Sequence, residues 1–419
     1  MKILLLSHYY APEPGAAQHR WSVFVRHLVA AGDSLHVVAP APHYPLGQLL
    51  AGQESMAAGA IHKGVHGETV HRVAFRPYDA SVRSRMADEA VAARDAVRTV
   101  KRGLGDDWVP DVVVATVPSL PMAWAGGWVA RSLRVPLVLD LRDAWPDLLV
   151  VAHEWDNHGP SRGRGRARSA VRGALSGVGS ALTREQRRAD AVVTTTDSFA
   201  EVLRSRGMGS VHVVRNAAHA VPGYPRHQLR RDKSAALHVL YAGTMGRSHG
   251  LGTAVRAAAL AHERGADVVL RLVGHGAEHR HLMELAAGLR APVEFVDAVP
   301  RSSMGEHYAW SDTVLVSLRP WQALELAVPS KLYEAMKLGV HVSAVVAGEA
   351  RRIVEETAAG SLSAPGDVEQ LATSWERLHA DRSLLEVADA AREWAELHAD
   401  AAELAGGYRE LLHSVVARG

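Results

Sequence analysis

Two kinds of apolar pattern alternate along this chain. Short runs rich in Val, Ile and Leu occur at Ile3–Ser7, Leu35–Ala39, Val112–Thr116, Pro136–Leu141 and Ala191–Thr195. Runs of this kind suit parallel strands buried on both faces. Between them, apolar residues return every three or four positions, which predicts helices over about 16–31, 86–103, 121–133 and 165–188. The cycle then restarts, with strands at 238–243, 268–274, 293–297, 313–318 and 340–346. Helices near 252–264, 278–288, 302–310, 330–338, 350–358 and 367–379 separate them. The alternation predicts an α/β protein of two doubly wound Rossmann-like domains facing across a cleft. The expected divisions are 1–216 for the first domain, 217–236 for a linker with Pro, Gly and a charge run, and 237–382 for the second. Residues 383–417 read as one continuous helix rich in Ala, Leu and Glu, and 383–419 are expected to pack back toward the first domain.

Composition narrows the function. At 419 residues, 47% hydrophobic and 22% charged, the chain has the balance of a water-soluble globular protein. A net charge of +2 gives no general attraction to nucleic acid, and none is expected as a partner. Without cysteine there is no disulfide framework, no thiolate chemistry and no Cys-based zinc site, which suits a reducing cytoplasm. The opening MKILLL is too short for a secretory signal and reads as a buried first strand. No run of 18 apolar residues marks a membrane-spanning helix. The arginine-rich segment 161–190 reads either as a basic amphipathic helix at a membrane surface, with Val171, Leu175, Val178 and Leu182 inserted, or as a solvated helix packed by that stripe. The first reading places the protein peripherally at the inner face of the membrane.

In open α/β sheets ligands bind beyond the carboxyl ends of the strands, so the loops there deserve inspection. After the first strand, HYYAPEPGAAQHR carries Gly15 and Ala16, small enough for a phosphate or sugar to approach the backbone, or for a tight turn alone. His8 and His19 nearby are read as structural. LRDAWPD places Asp143 at a strand end, where it could accept bonds from sugar hydroxyls, with Trp145 stacking on a ring or covering the sheet edge. HVLYAGTMGRSHGL gives a strand, then Gly243, Gly246 and Gly250 with Arg247 among them, a combination that suits a diphosphate. In VGHGAEHRHL the histidines at 275, 279 and 281 are read as lacking an acidic partner, so no metal set is expected. The stretch VPSKLYEAMKLG poses a conflict. Pro329 suits a first helical turn and Ser330 a cap, but Lys331 puts a cation at the end of the helix that repels it. A bound anion held by the amides and the lysine together resolves the conflict.

Taken in order, HYYAPEPGAA, LRDAWPD, YAGTMGRSHGL, LVGHGAE, VPSKLYEAMKLG and GEARRIVEETAAGSLSAPGD resemble the retaining glycosyltransferases of the GT-B fold, family 4. The likeness covers essentially the whole chain and is closest to the subgroup that builds bacterial surface polysaccharides. It implies that Ser330, Lys331 and Leu332 face the diphosphate of a nucleotide sugar and that Glu334 binds the ribose. Gly243, Thr244 and Gly246 join the donor site, while Gly15, Ala16 and Asp143 lie on the acceptor side. The co-substrate implied is a nucleotide diphosphate sugar, UDP-linked by preference, with no other cofactor and no metal. The acceptor implied is a sugar, a lipid-linked glycan or a small metabolite.

The sequence also departs from that pattern. The family carries two glutamates eight apart, but Leu326 stands eight before Glu334, and Glu325 is the nearest glutamate. Thr244 and His249 stand where the family has Arg and Lys, so Arg247 and Lys331 become the expected phosphate cations, with Glu325 a candidate for the sugar hydroxyls. Asn216-Ala217-Ala218-His219 replaces the usual Asn-Gly-Val-Asp before the linker. Two other functions remain compatible with the sequence. One is a sugar-nucleotide 2-epimerase, which needs converging acids and a base; the other is an inactive sugar-nucleotide-binding partner protein.

Overall fold

Val112–Val117 and Thr313–Ser317 are buried at every position. Strands apolar on both faces need cover on both sides, and helices supply it. A computed structural model describes residues 1–45, 47–79, 81–105, 107–149, 151, 165–218, 221–222, 224 and 236–418. They form two units, residues 1–216 with 401–419 and residues 217–400.

In the first unit the strands are β1 (Lys2–Leu6), β2 (Ser34–Pro40), β3 (Ile61–Lys63), β4 (Thr69–Val73), β5 (Val112–Val117), β6 (Leu137–Leu141), β7 (Ala191–Thr194) and β8 (Val211–Val213). Among the described residues they form one sheet in the order β3-β4-β2-β1-β5-β6-β7-β8. All its pairs are parallel except β3 with β4. The helices are α1 (Ala16–Ala30), α2 (Val82–Arg102), α3 (Leu120–Leu133), α4 (Gly165–Arg188) and α5 (Asp197–Ser205). In the second unit, β9 (Leu237–Ala242), β10 (Val268–Val273), β11 (Val293–Val296), β12 (Thr313–Ser317), β13 (His341–Val345) and β14 (Gly360–Ser363) form an all-parallel sheet ordered β11-β10-β9-β12-β13-β14. Its helices are α6 (Leu251–Glu263), α7 (His279–Leu289), α8 (Met304–Trp310), α9 (Ser330–Leu338), α10 (Gly348–Thr357), α11 (Val368–Ala380) and α12 (Asp389–His398). Helix α13 (Ala401–Val416) returns to the first unit. In both sheets strand order reverses beside the opening strand: β1 lies between β2 and β5, and β9 between β10 and β12. Such switch points open a crevice at the strands' carboxyl ends.

Three sequence expectations change. The tail is not one helix. The chain is extended at Glu386 and Ala388, and α12 ends at His398 with Ala399 as its C-cap. The Ala399 carbonyl accepts the Ala218 amide at 2.8 Å instead of continuing a helix. Asp400 and Glu403 then supply a capping-box sequence for a fresh start at α13. The two halves serve different units: Trp394 of α12 stacks on Tyr333, while Tyr408 of α13 packs against Trp21 and Phe24 of α1. Helix α2 begins at Val82 rather than 86, because the Ser81 hydroxyl accepts the Ser84 amide and caps it there. The stripe of α4 faces inward at Leu182, which is fully buried, with Leu175 and Val178 half-buried; Gly179 lies against Pro146. At Leu182 the stripe covers the unit's own apolar surface. Residues 161–164 and the side chains of 165–172, including Val171 and the first arginines, lie outside the described residues.

Candidate active site

Four loop segments meet beyond the carboxyl ends of β9, β10 and β12. Gly243, directly after β9, has φ +140°, and a side chain there would place its Cβ 2.7 Å from the Lys331 ammonium nitrogen. Gly274, directly after β10, has φ +133°, and a Cβ there would lie 2.2 Å from the Gly243 carbonyl. Only glycine allows both strand ends to approach each other and Lys331 this closely. Helix α9 supplies that lysine. Its N-cap is Pro329, and no side chain caps it. The Leu332 amide turns back onto the Pro329 carbonyl at 3.0 Å. Among the described residues the Ser330 and Lys331 amides have no protein acceptor, so two donors and an ammonium group share one spot. That is the arrangement that attracts an anion.

The electrostatics sharpen it. Loss of water pulls the Lys331 amine down to about 8, opposed by the charge of Glu334, and the amine sits 4.9 Å over the Tyr241 ring. The Tyr241 hydroxyl fixes the loop by donating to the Thr244 carbonyl at 2.6 Å. Burial, with Lys331 beside it, depresses His249 to about 3, so its imidazole is neutral. Arg247 and Arg319 reach opposite oxygens of the buried Glu278 carboxylate at 3.8 and 3.7 Å. One turn into α9, Glu334 accepts from Arg301 through one oxygen and from the Tyr308 hydroxyl, at 2.8 Å, through the other. Burial and the Glu334 charge push that phenol well above its usual range, so it stays a donor. A carboxylate has about four lone-pair sites, so Glu334 held in this way still has acceptors for a diol.

The first unit has its own buried polar cluster. Asp88 accepts at one oxygen from His43 at 3.0 Å and His8 at 3.2 Å, and its other oxygen takes the Arg76 amide at 2.8 Å. His43 Nδ1 is 2.7 Å from the Ala41 carbonyl. Glu13 accepts the His43 and Tyr44 amides at 2.9 and 3.0 Å, and Gln18 at 3.0 Å. Gly15 is the N-cap of α1, and Ala16 begins the helix, exposed. Burial raises Asp143, opposed by the charge of Arg142 next to it.

Residues 236–381 match the glycosyl transferases group 1 family. The matched stretch runs from the start of β9 past the end of α11 and holds every residue of the Gly243–Lys331–Glu334 geometry. No curated protein matches the chain. Among solved structures, sucrose-phosphate synthase from Thermosynechococcus elongatus aligns over 100% of both chains at TM-score 0.70 and 19% identity. Anabaena HepE, solved with UDP and glucose, aligns over 99% of this chain and 100% of its own at TM-score 0.65 and 18% identity. WaaG, a glycosyltransferase involved in lipopolysaccharide biosynthesis, aligns over 98% and 99% at TM-score 0.62 and 14% identity. At these identities the likeness establishes the fold, which is the GT-B arrangement of these glycosyltransferases.

Within the group 1 region, the structure brings Gly243, Thr244, Gly246, Arg247, Ser330, Lys331 and Glu334 together around the β9 loop and α9. Two donor-side expectations shift. Ser330 is the first helical residue and caps nothing, because Pro329 already occupies the N-cap. The Leu332 amide is engaged with Pro329 and its side chain is fully buried, so it is not available to an anion. Glu325 is exposed on a 3-10 turn over Gln322–Leu326, and its backbone lies against Gly348. The histidines after β10 do have an acidic neighbour. Asp297 follows β11, which pairs with β10, so the two loops are adjacent, and ligand atoms of His275, His279 and Asp297 lie within 4.8 Å of one another. The same spacing holds for His8, His43 and Asp88. Arg319, Glu278, Arg301 and Tyr308 were not singled out by the sequence. The strand-end rule points to Arg319, which follows β12 by two residues.

Proposed function

We propose that this protein is a retaining, metal-independent glycosyltransferase of family 4, moving a sugar from a nucleotide diphosphate sugar to an acceptor hydroxyl. The observation that carries this reading is the open N-terminus of α9, where two free amides and Lys331 converge beside Gly243, one turn before a doubly held Glu334. A diphosphate at the amides and a ribose at Glu334 fit that spacing. The HepE complex with UDP and glucose supports a UDP-sugar donor. As the glycosidic bond breaks, charge grows on the leaving diphosphate, and Lys331, Arg247 and the α9 amides stabilise it. The departing phosphate then assists removal of the acceptor proton, so no strong side-chain base is needed. Glu325 is assigned to the sugar hydroxyls, and Gly15, Ala16 and Asp143 to the acceptor side.

The test supplies UDP-, GDP- and ADP-sugars to the purified protein, with and without lipid-soluble or aqueous extract, and measures released nucleoside diphosphate and the anomeric configuration of the product. Release that requires extract supports a transferase, and the active fraction tells a lipid-linked acceptor from a soluble one. Release without extract, with an altered sugar, indicates an epimerase, and tight binding with no turnover indicates an inactive partner protein.

A further inference from the structure

The loop after β9 lacks a cation where a diphosphate loop needs one. Thr244 is exposed and uncharged, and His249 is a neutral imidazole. Arg247 alone of the loop's side chains carries positive charge. Yet a neighbouring loop brings a second guanidinium to the same place. The Arg319 amide donates to the Ser248 carbonyl at 2.8 Å, and a Cβ at Gly250 would lie 3.2 Å from Arg319 Cγ, so the arginine's backbone and stem are fastened to the β9 loop itself. Ser317, two residues earlier, donates its hydroxyl to the His249 carbonyl at 2.7 Å and makes the same attachment. The guanidinium lies 5.6 Å over Trp321, which limits its swing.

We propose that Arg319 is a diphosphate-binding residue that supplies the cation missing from the β9 loop, and that Glu278 is the positioning residue that gathers Arg319 and Arg247 around it. The inference rests on the donor-site reading above. Glu278 suits the task because its amide donates to the Met245 carbonyl at 3.0 Å, tying it to the same loop, and its carboxylate is almost fully buried. Both arginine contacts to it, at 3.8 and 3.7 Å, exceed hydrogen-bond length, so Glu278 attracts the two groups by charge without hydrogen-bonding either. Arg247, Arg319 and Lys331 thus bring three cationic groups from three separate segments against the one Glu278 carboxylate. A diphosphate, with two phosphoryl groups, reaches more of them than a monophosphate does.

Isothermal titration of UDP, GDP and ADP first selects the nucleotide the wild type binds most tightly; the same base is then compared as nucleoside, monophosphate and diphosphate. Arg319→Ala, and Arg319→Gln, which keeps the stem on Trp321, should weaken the diphosphate about tenfold to a hundredfold. The monophosphate should weaken less and the nucleoside not at all, and Arg319→Lys should recover part of the loss. Glu278→Gln should weaken the diphosphate in the same graded order. A wild type that binds no nucleoside diphosphate overturns the donor-site reading and this inference with it. A wild type that binds, with variants that bind the diphosphate equally well or lose all three ligands alike, overturns the role of Arg319 alone.

Discussion

Raising the pH from 7 to 9 should weaken nucleoside diphosphate binding about tenfold, and Lys331 should account for the loss. In the free protein burial holds this amine down to about 8. A bound diphosphate favours the cation, so the complex keeps its proton to higher pH and binding draws a proton from solution. With a pKa near 8, about one amine in eleven is charged at pH 9; affinity falls by that factor, and about half a proton is taken up per ligand at pH 8. The phosphate's own second ionisation lies near pH 6 and is complete across this range. Folding responds with the opposite sign. A lysine harder to protonate when folded destabilises the fold where it is charged, and that penalty fades as pH rises from about 8 toward the ordinary 10.5. Calorimetric titration in two buffers of different ionisation enthalpy gives both affinity and proton count. Lys331→Arg, always charged, should flatten the profile. Lys331→Ala should flatten it and weaken binding by about 1.5 to 3 kcal/mol. Affinity that stays constant to pH 9.5 in the wild type, or a tenfold decline that persists in Lys331→Ala, refutes the reasoning.

Glu334→Gln keeps shape but loses the charged acceptor for the ribose, so UDP and a UDP-sugar should weaken by the same factor; a loss confined to the UDP-sugar places Glu334 on the sugar instead. Arg20 and Asp140 form a buried pair at 3.0 Å, and Arg20→Met leaves the carboxylate uncompensated. Chemical denaturation should show a loss of about 3 to 5 kcal/mol, largely recovered by adding Asp140→Leu. Burial opposes protonation of His43, but the Asp88 hydrogen bond and charge prevail and raise its pKa above 6.5. Asp88 is held well below the usual carboxylate range by His43 and His8 despite its burial. The His43 contribution is complete below 6.5 and lost as pH rises through the raised value, while the Asp88 contribution is complete above 3.8 and lost on acidification. Melting temperature against pH should therefore decline on the alkaline side of that window in the wild type and flatten there in His43→Gln.

Most of the parallel strands were legible because burial on both faces writes itself as continuous Val, Ile and Leu. The strands β3, β4, β8 and β14 were not, since IHK, TVHRV, VHV and GSLS are short and mix polar residues with apolar ones. The open N-terminus of α9 was legible for a different reason: Pro329, Ser330 and Lys331 are consecutive, and a cation at a helix N-terminus is a local contradiction that a bound anion would remove. What stayed hidden is whatever tertiary contact assembles from distant segments. Glu278 reads as one residue in a histidine-rich turn until the loops after β9, β10 and β12 converge on it. Arg301 and Tyr308 lie 33 and 26 residues from Glu334, and no spacing rule connects them. The two absences in the β9 loop were nevertheless visible, as Thr244 and His249 in place of cations. On the proposed donor-site reading, a diphosphate loop short of charge draws that charge from a neighbouring strand end. The strand order β10-β9-β12 leaves two such neighbours, and of the residues just beyond them Arg319 is the basic one that the structure fastens to the β9 loop.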